Sequence, residues 1–425
     1  MKRKLITLII ITVFTLQLQA QKYVGGDISM LPKYEEAGVV YKDKTGATVS
    51  DPLAFFKQEG WNAMRVRLFV DPSKDADKAV CQDIDYVKKL GKRIKDAGLQ
   101  FMLDFHYSDT WADPAKQWTP KDWEGLRDYD LNQTIYTYTK EVLQQLKEVG
   151  AAPDFIQTGN EISYGMLWGR STDSASQLKK CHPNSDNNWT RFTSLLKNAI
   201  SACREVLPDA KVIIHTERVA QPNILKAFYE KMDTYGVDYD IIGLSYYSYY
   251  HGKLSALDTA ITQLESSFPN KKIMLVEVGY YHDWQPNGVT YDLSGTYPIS
   301  GEGQKAFTEA LIETVNKHAN VNGLFWWFME ANEYGLDWNT NRVTHDWYNA
   351  GLFDNQTGRA EPAIYVLKNF TAEGDGIHTV KTTPSATNHA LDGRTTIHTL
   401  DGRKVGSQGR LPKGIYIVDG KKVIF

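Results

Sequence analysis

A chain of 425 residues that is 42% hydrophobic has material for one large core with something smaller beside it. Its net charge of −3 excludes a strong electrostatic pull on polyanions, so nucleic acid is not an expected partner. Aromatic residues are the unusual component, with 11 Trp and 24 Tyr, many in loop-like stretches where a core does not need them. An exposed aromatic face suits a sugar ring, although for each such residue a place in the core is the ordinary alternative.

The chain opens on MKRKLITLIIITVFTLQLQAQK, a basic start followed by an apolar run over 5–16. That run is too short to span a bilayer comfortably and reads as a secretory leader, 1–20, cleaved after Ala20, although Leu18 is bulkier than the ideal residue there. No cysteine follows it, so no lipid anchor is expected, and no later stretch is long and apolar enough to cross a membrane. The mature protein is therefore expected to be secreted or periplasmic. Of the three cysteines, Cys81, Cys181 and Cys203, at least one must be a free thiol. Cys181 and Cys203 could pair, or all three could be isolated and buried. No Cys/His spacing indicates zinc.

A first strand lies at 23–29. From Trp61 onward strands and helices alternate. Strands are predicted at 62–70, 99–109, 154–162, 211–216, 240–247, 272–280 and 321–329. Helices are predicted at 84–98, 134–150, 189–208, 221–236, 254–268 and 303–319, and several close on a glycine. Eight strands with helical crossovers predict a (β/α)8 TIM barrel over 21–370. An open doubly wound sheet is the alternative, but the G-x-G-x-x-G loop that usually marks it is missing. The stretch 371–390 is short of large apolar residues and rich in Thr, Gly and Ala, as a linker is. Beyond it, TTIHTLDGRKV and GIYIVDGKKVIF alternate and turn at Asp-Gly pairs, which predicts a small β-hairpin module over 391–425.

In such a barrel the catalytic groups stand at the carboxyl ends of the strands. Reading each strand to its end collects Arg65, Arg67, Asp104, His106, Asn160, Glu161, His215, Tyr246, Tyr247, Glu277, Trp326 and Trp327. Two apolar runs stop at a glutamate: TGNEISYGMLW at Glu161 and IMLVEVGYY at Glu277. A carboxylate pair on one rim is the equipment of a glycosidase. Side-chain alternation would turn Gln157, Gly159 and Leu275 inward with the two acids, and Gly243, Ser245 and Tyr247 inward on the sixth strand. Taken singly, each residue has a structural explanation, such as an arginine paired with an acid or a satisfied core histidine.

Together these stretches resemble glycoside hydrolase family 53, the endo-β-1,4-galactanases. The matching text is GGDIS, WNAMRVRLFVDP, LDFHYSDTWADPAKQW, TGNEISYGMLW, DIIGLSYYSYYHG and LVEVGY, and it spreads over 23–365. The resemblance implies a retaining enzyme that cuts β-1,4-galactan, including the galactan side chains of pectin; a monomer is expected separately. It makes Glu161 the general acid/base and Glu277 the nucleophile; the nucleophile must stay ionised, and Arg67 and Tyr247 are suitable donors to hold it. It places Asn160 at the sugar 2-hydroxyl and Trp327 under the sugar. His106, Asp109, Trp111 and Trp168 join the substrate-binding set, with Trp118 a further candidate.

A mannanase or xylanase of the same clan, or a non-catalytic glycan-binding barrel, is the alternative. The retention of both glutamates argues against the last. Two departures stand out. The family commonly has Glu-Pro after the strand-eight tryptophan, where this chain reads WWFMEANEYG. Bacterial relatives often hold calcium near the seventh and eighth strands, but the loop 282–295 offers only Asp283 and Asp292 without an alternating run of oxygen ligands. No metal or other cofactor is expected. The tail resembles short C-terminal β modules of secreted Bacteroidetes proteins, some of which direct export; a structural appendage is the equal alternative.

Overall fold

The computed structural model describes residues 21–372 except 338, 345 and 346, together with tail strands at 397–399, 404–405, 415–418 and 421–424. The expected leader and the expected linker from 373 onward lie outside these residues. Two compact units divide after Thr371.

The first unit is a closed barrel of eight parallel strands in chain order. These are β1 (Tyr23–Asp27), β2 (Ala63–Leu68), β3 (Gln100–Phe105), β4 (Phe155–Thr158), β5 (Lys211–Thr216), β6 (Ile241–Tyr247), β7 (Lys272–Gly279) and β8 (Val321–Trp326). Two short helices, α1 (Leu31–Ala37) and α2 (Pro52–Gln58), join β1 to β2. Then α3 (Ile84–Asp96), α4 (Asp128–Glu148), α5 (Trp189–Val206) and α6 (Pro222–Thr234) follow β2 to β5 in turn. The rest are α7 (Ser248–His251) and α8 (Leu254–Ser267) after β6, α9 (Gly301–Val315) after β7 and α10 (Pro362–Leu367) after β8. This is a (β/α)8 barrel.

The strands are continuous buried runs because one face meets the helices and the other the barrel interior. Helix ends follow local chemistry. The Asp83 carboxylate accepts from Tyr86 N at 2.8 Å to start α3, and the chain leaves that helix at Gly98, whose φ of 70° a side chain would resist.

Inside the barrel, Ala63, Met102, Phe155, Ile213, Ile241, Met274 and Phe325 form an apolar plug. The next inward position along the strands carries Arg65, Asp104, Gln157 and His215, and on β6 Ser245 stands one inward step further, beyond Gly243; all are buried. The interior thus changes from apolar to polar toward the carboxyl ends of the strands.

Several expectations are corrected. The crossover between the first two strands, for which the sequence gives no helix bounds, holds α1 and α2. The start of α2 is an Asp51 cap, with Asp51 Oδ1 accepting from Leu53 N at 3.0 Å, followed by a proline in its first turn. Helix α4 starts at Asp128 rather than Thr134. Its first turn carries Asp128 and Asp130, which suit a helix N-terminus but leave no apolar stripe to read. Leu275 does not face inward. A bulge in β7 pairs Leu244 with Leu275 but Ser245 with Glu277, so Val276 is the extra residue. Val276 joins the interior plug, and Leu275 packs outward toward the helices. All three cysteines are buried and free.

The second unit contains β9 (Ile397–Thr399), β10 (Lys404–Val405), β11 (Ile415–Val418) and β12 (Lys421–Ile424). They form one sheet in the order β10-β9-β11-β12, with antiparallel pairing throughout. The pairing of Val418 with Lys421 leaves only Asp419 and Gly420 between β11 and β12 in sequence.

Candidate active site

The polar end of the barrel opens into a cleft of about 500 Å3, bordered by Glu161, Glu277, Tyr247 and Trp327. Glu161 does not stand on a strand. Strand β4 stops at Thr158, and the chain turns through Gly159 (φ 106°) and Glu161 (φ 46°). A left-handed glutamate costs on the order of 1–3 kcal/mol, and the turn lifts its carboxyl over the barrel mouth. Glu161 N donates to His215 Nδ1 at 3.3 Å, which ties the turn to β5. Glu277 reaches the interior through the β7 bulge, which changes the phase of the strand just before it.

One hydroxyl joins the two acids. Ser245 Oγ lies 2.7 Å from Glu161 Oε1 and 3.3 Å from Glu277 Oε2. Those two oxygens can be no farther apart than the two bonds laid end to end, about 6 Å. His215 Nε2 lies 2.8 Å from the same hydroxyl. Burial, and then the neighbouring Arg65 charge, hold His215 well below the usual histidine range, so it is neutral.

Arg65 is the electrostatic centre. Its Nη1 is 3.0 Å from Asp27 Oδ2, and its Nη2 is 2.7 Å from Asp104 Oδ2 and 3.0 Å from Glu277 Oε1. Tyr247 OH donates to Glu277 Oε2 at 2.9 Å. Burial raises both carboxyls. Glu161 is raised well above the usual range by burial first and then by the charges of Glu277 and Glu217. Glu277 is pushed up to about 7, because burial is opposed by Arg65 and by the Tyr247 hydroxyl. As the pair titrates, Glu277 ionises first and the remaining proton stays on Glu161. The arrangement sets a carboxyl that keeps its proton beside one that gives its proton up first, both bordering the cleft.

The structure separates the other expected residues. Asn160, Trp111, Tyr247 and Trp327 border the cleft. Asn160 Nδ2 donates to Ala112 O at 2.8 Å, while its Oδ1 accepts from Arg65 at 3.0 Å. Trp327 Nε1 is buried without a hydrogen-bond partner among the described residues. His106 lies beneath the cleft. Its Nδ1 accepts from Ala112 N at 3.1 Å, and its Nε2 is 3.1 Å from Asp104 Oδ2.

Three expectations are corrected. Arg67 does not reach Glu277: it binds Asp27 Oδ1 at 2.9 Å, with its guanidinium 4.5 Å from the Trp111 ring centre. Both arginines face inward by alternation, and Arg65, one step deeper, is the one directed to the centre of the barrel. Trp168 is fully buried, edge-on to Trp118, with its Nε1 donating to Tyr164 O at 3.0 Å, so it has no face to offer a sugar. Asp109 does not border the cleft: its carboxylate accepts from Asp71 N at 3.1 Å and Lys121 N at 2.8 Å and fastens two loops.

Ser245, Glu217, Tyr250 and Trp347, which no sequence signal marks as functional, also belong to the site. Ser245 reads in sequence only as a small interior residue. Glu217 and Trp347 lie beyond strand ends in loops, where no periodicity marks them.

Among the described residues no group of three His, Cys, Asp or Glu side chains is placed to hold a metal. In the loop 282–295, Asp283 Oδ2 accepts from Asn355 at 3.2 Å and Asp292 Oδ1 from Ser294 N at 2.8 Å.

Comparison with known proteins bears directly on this geometry. Residues 23–367 match Glycosyl hydrolase family 53. The chain is 33% identical over 342 residues to a probable arabinogalactan endo-β-1,4-galactanase A of Neosartorya fischeri, covering 77% of this chain and 89% of that protein. It is 32% identical over 363 residues to an arabinogalactan endo-β-1,4-galactanase of Cellvibrio japonicus, covering 81% and 90%. Among solved structures, the Ignisphaera aggregans GH53 catalytic domain superposes with a TM-score of 0.71 at 31% identity, covering 86% of this chain and all of that one. The chain belongs to glycosyl hydrolase family 53 and is a glycoside hydrolase.

Proposed function

We propose that this enzyme hydrolyses internal β-1,4-galactosidic bonds of galactan, including the side chains of pectin, with retention of configuration. The observation that carries the mechanism is the shared Ser245 hydroxyl, which limits the two carboxyl oxygens to about 6 Å apart. Retaining enzymes hold their carboxyls about 5–5.5 Å apart, whereas inverting ones need about 6.5–9.5 Å to admit a water. In the first displacement Glu161 gives its proton to the glycosidic oxygen as Glu277 attacks the anomeric carbon. In the second, Glu161 takes a proton from water, the water oxygen attacks that carbon, and Glu277 leaves. Both half-reactions use only the chain's own carboxyls and need no cofactor.

The names of the relatives support galactan as the substrate. Trp327 and Trp111, with ring centres 5.9 Å apart, give the cleft an aromatic wall for the sugar. The leader-like start supports export to the periplasm or medium, where a polysaccharide would be met by a monomer. The test is the product profile of residues 21–425 on unbranched β-1,4-galactan, mannan and xylan. Short galacto-oligosaccharides from galactan alone support the reading. Cleavage of mannan or xylan instead overturns the substrate assignment and leaves the barrel and both glutamates in place.

A further inference from the structure

Two carboxyls of the cleft, Glu217 and Asp113, take no part in the two displacements. Glu217 directly follows β5, so the barrel order sets it beside the β4 turn that carries Glu161, and both border the cleft. Its Oε1 is engaged twice: Ser163 Oγ donates to it at 2.6 Å, and Arg218 Nε lies 2.9 Å away. Arg218 is itself fixed, with its guanidinium 4.2 Å from the Tyr164 ring centre. Glu217 Oε2, by contrast, is buried and has no hydrogen-bond partner among the described residues. The other carboxylate of this wall, Asp113, differs. Its Oδ1 accepts from Ala115 N at 2.8 Å and Lys116 N at 3.0 Å, and its Oδ2 pairs with Lys116 Nζ at 3.0 Å.

A buried carboxylate oxygen without a donor is costly, so one held rigidly at a cleft wall marks where a donor on a ligand arrives. A neutral polysaccharide offers one kind of donor, the hydroxyl. In a double displacement the sugar on the acid's side is the one that leaves, and Glu217 stands on that side, tied to Ser163 just past Glu161.

We propose that Glu217 Oε2 accepts a hydrogen bond from a hydroxyl of the leaving sugar, making it a binding residue for that half of the cleft. The proposal rests on Glu161 being the acid. Its test compares two substrates, a galacto-oligosaccharide, whose leaving group is a sugar, and a nitrophenyl β-galactobioside, whose leaving group has no sugar hydroxyls. The readout is the ratio of their kcat/KM values, taken at the top of each variant's pH profile. That ratio does not depend on how much of the enzyme is folded.

Glu217→Gln is expected to shift the ratio about 10- to 100-fold against the oligosaccharide, the usual worth of a hydrogen bond to a charged group. Glu217→Ala should shift it in the same direction. A ratio within about twofold of wild type in both variants overturns the proposal. Glu161→Gln is measured on the same pair. If it loses both substrates equally, Glu161 is not the acid and the assignment of sides fails, whatever Glu217→Gln does. If it loses mainly the oligosaccharide while the Glu217 ratio is unmoved, the mechanism stands and only the role of Glu217 falls.

Discussion

The Arg65 guanidinium lies 3.0 Å from the Glu277 carboxylate in a fully buried network that also contains Asp27 and Asp104. Three acids pair with this one guanidinium, so Arg65 is structural and electrostatic at once. Arg65→Met leaves Asp27 with Arg67 but removes the only cation in contact with Glu277 among the described residues. It is expected to cost about 3–5 kcal/mol, the usual penalty for breaking a buried ion pair from one side. Guanidinium unfolding of variant and wild type measures this, and a loss below about 1 kcal/mol would refute the reading.

Tyr247→Phe removes a donor to the ionised form of Glu277. A hydrogen bond to the charged form lowers a carboxyl's pKa, so its loss raises it. Glu277 must be ionised to attack, so the acid limb of kcat/KM should move to higher pH while the basic limb, set by Glu161, moves less. An unmoved acid limb would show that Tyr247 does not hold the nucleophile.

Glu330 is a buried acid outside the cleft. Met30 N donates to its Oε1 at 2.7 Å, and Oε2 has no partner among the described residues. Burial, and then the charge of Asp27, push it up to about 8 from an ordinary 4.5. Between those values the folded state holds a proton that the unfolded chain has released, so this group's contribution to stability falls as pH rises through that window. Glu330→Gln removes the loss. Its stability relative to wild type should grow from pH 5 to pH 8 by up to a few kcal/mol. A difference that stays flat with pH would contradict the assignment.

The two tryptophans give a contrast. Trp327→Ala strips the cleft wall and should raise KM on galactan tenfold or more, since aromatic contact is worth about 1 kcal/mol or more beyond area. Trp168→Phe loses a buried hydrogen bond and leaves a small cavity, so it should lower thermal stability by about 1–2 kcal/mol with KM near wild type. Initial-rate kinetics and melting curves on both variants separate the roles, and a raised KM in Trp168→Phe would restore that residue to the cleft.

The barrel was legible because parallel strands buried on both faces read as unbroken apolar runs, and each ends at a group that the fold must carry to one rim. Glu161 and Glu277 stood out for that reason. Alternation was trustworthy only where the strand stayed regular. It placed Ser245 and Tyr247 inward but failed at Leu275, because a bulge has no fixed sequence sign. The sequence pointed to Arg67, whereas Arg65 is the one that meets Glu277; the two share a face and differ only in depth. Trp168 and Asp109 looked functional as loop residues, but whether a loop tryptophan is bare or buried depends on tertiary packing. Glu217 was hidden by its setting, an acid beside an arginine, which in sequence resembles any surface ion pair.

The most direct test of the central claim is the anomeric configuration of the first product, followed by proton NMR as the enzyme acts on β-1,4-galactan. A double displacement through Glu277, with Glu161 held close by Ser245, releases the β-anomer first, and the α-anomer appears only as the sugar mutarotates. Early appearance of the α-anomer would mean a single displacement by water, and the shared-hydroxyl account of the two carboxyls would be wrong.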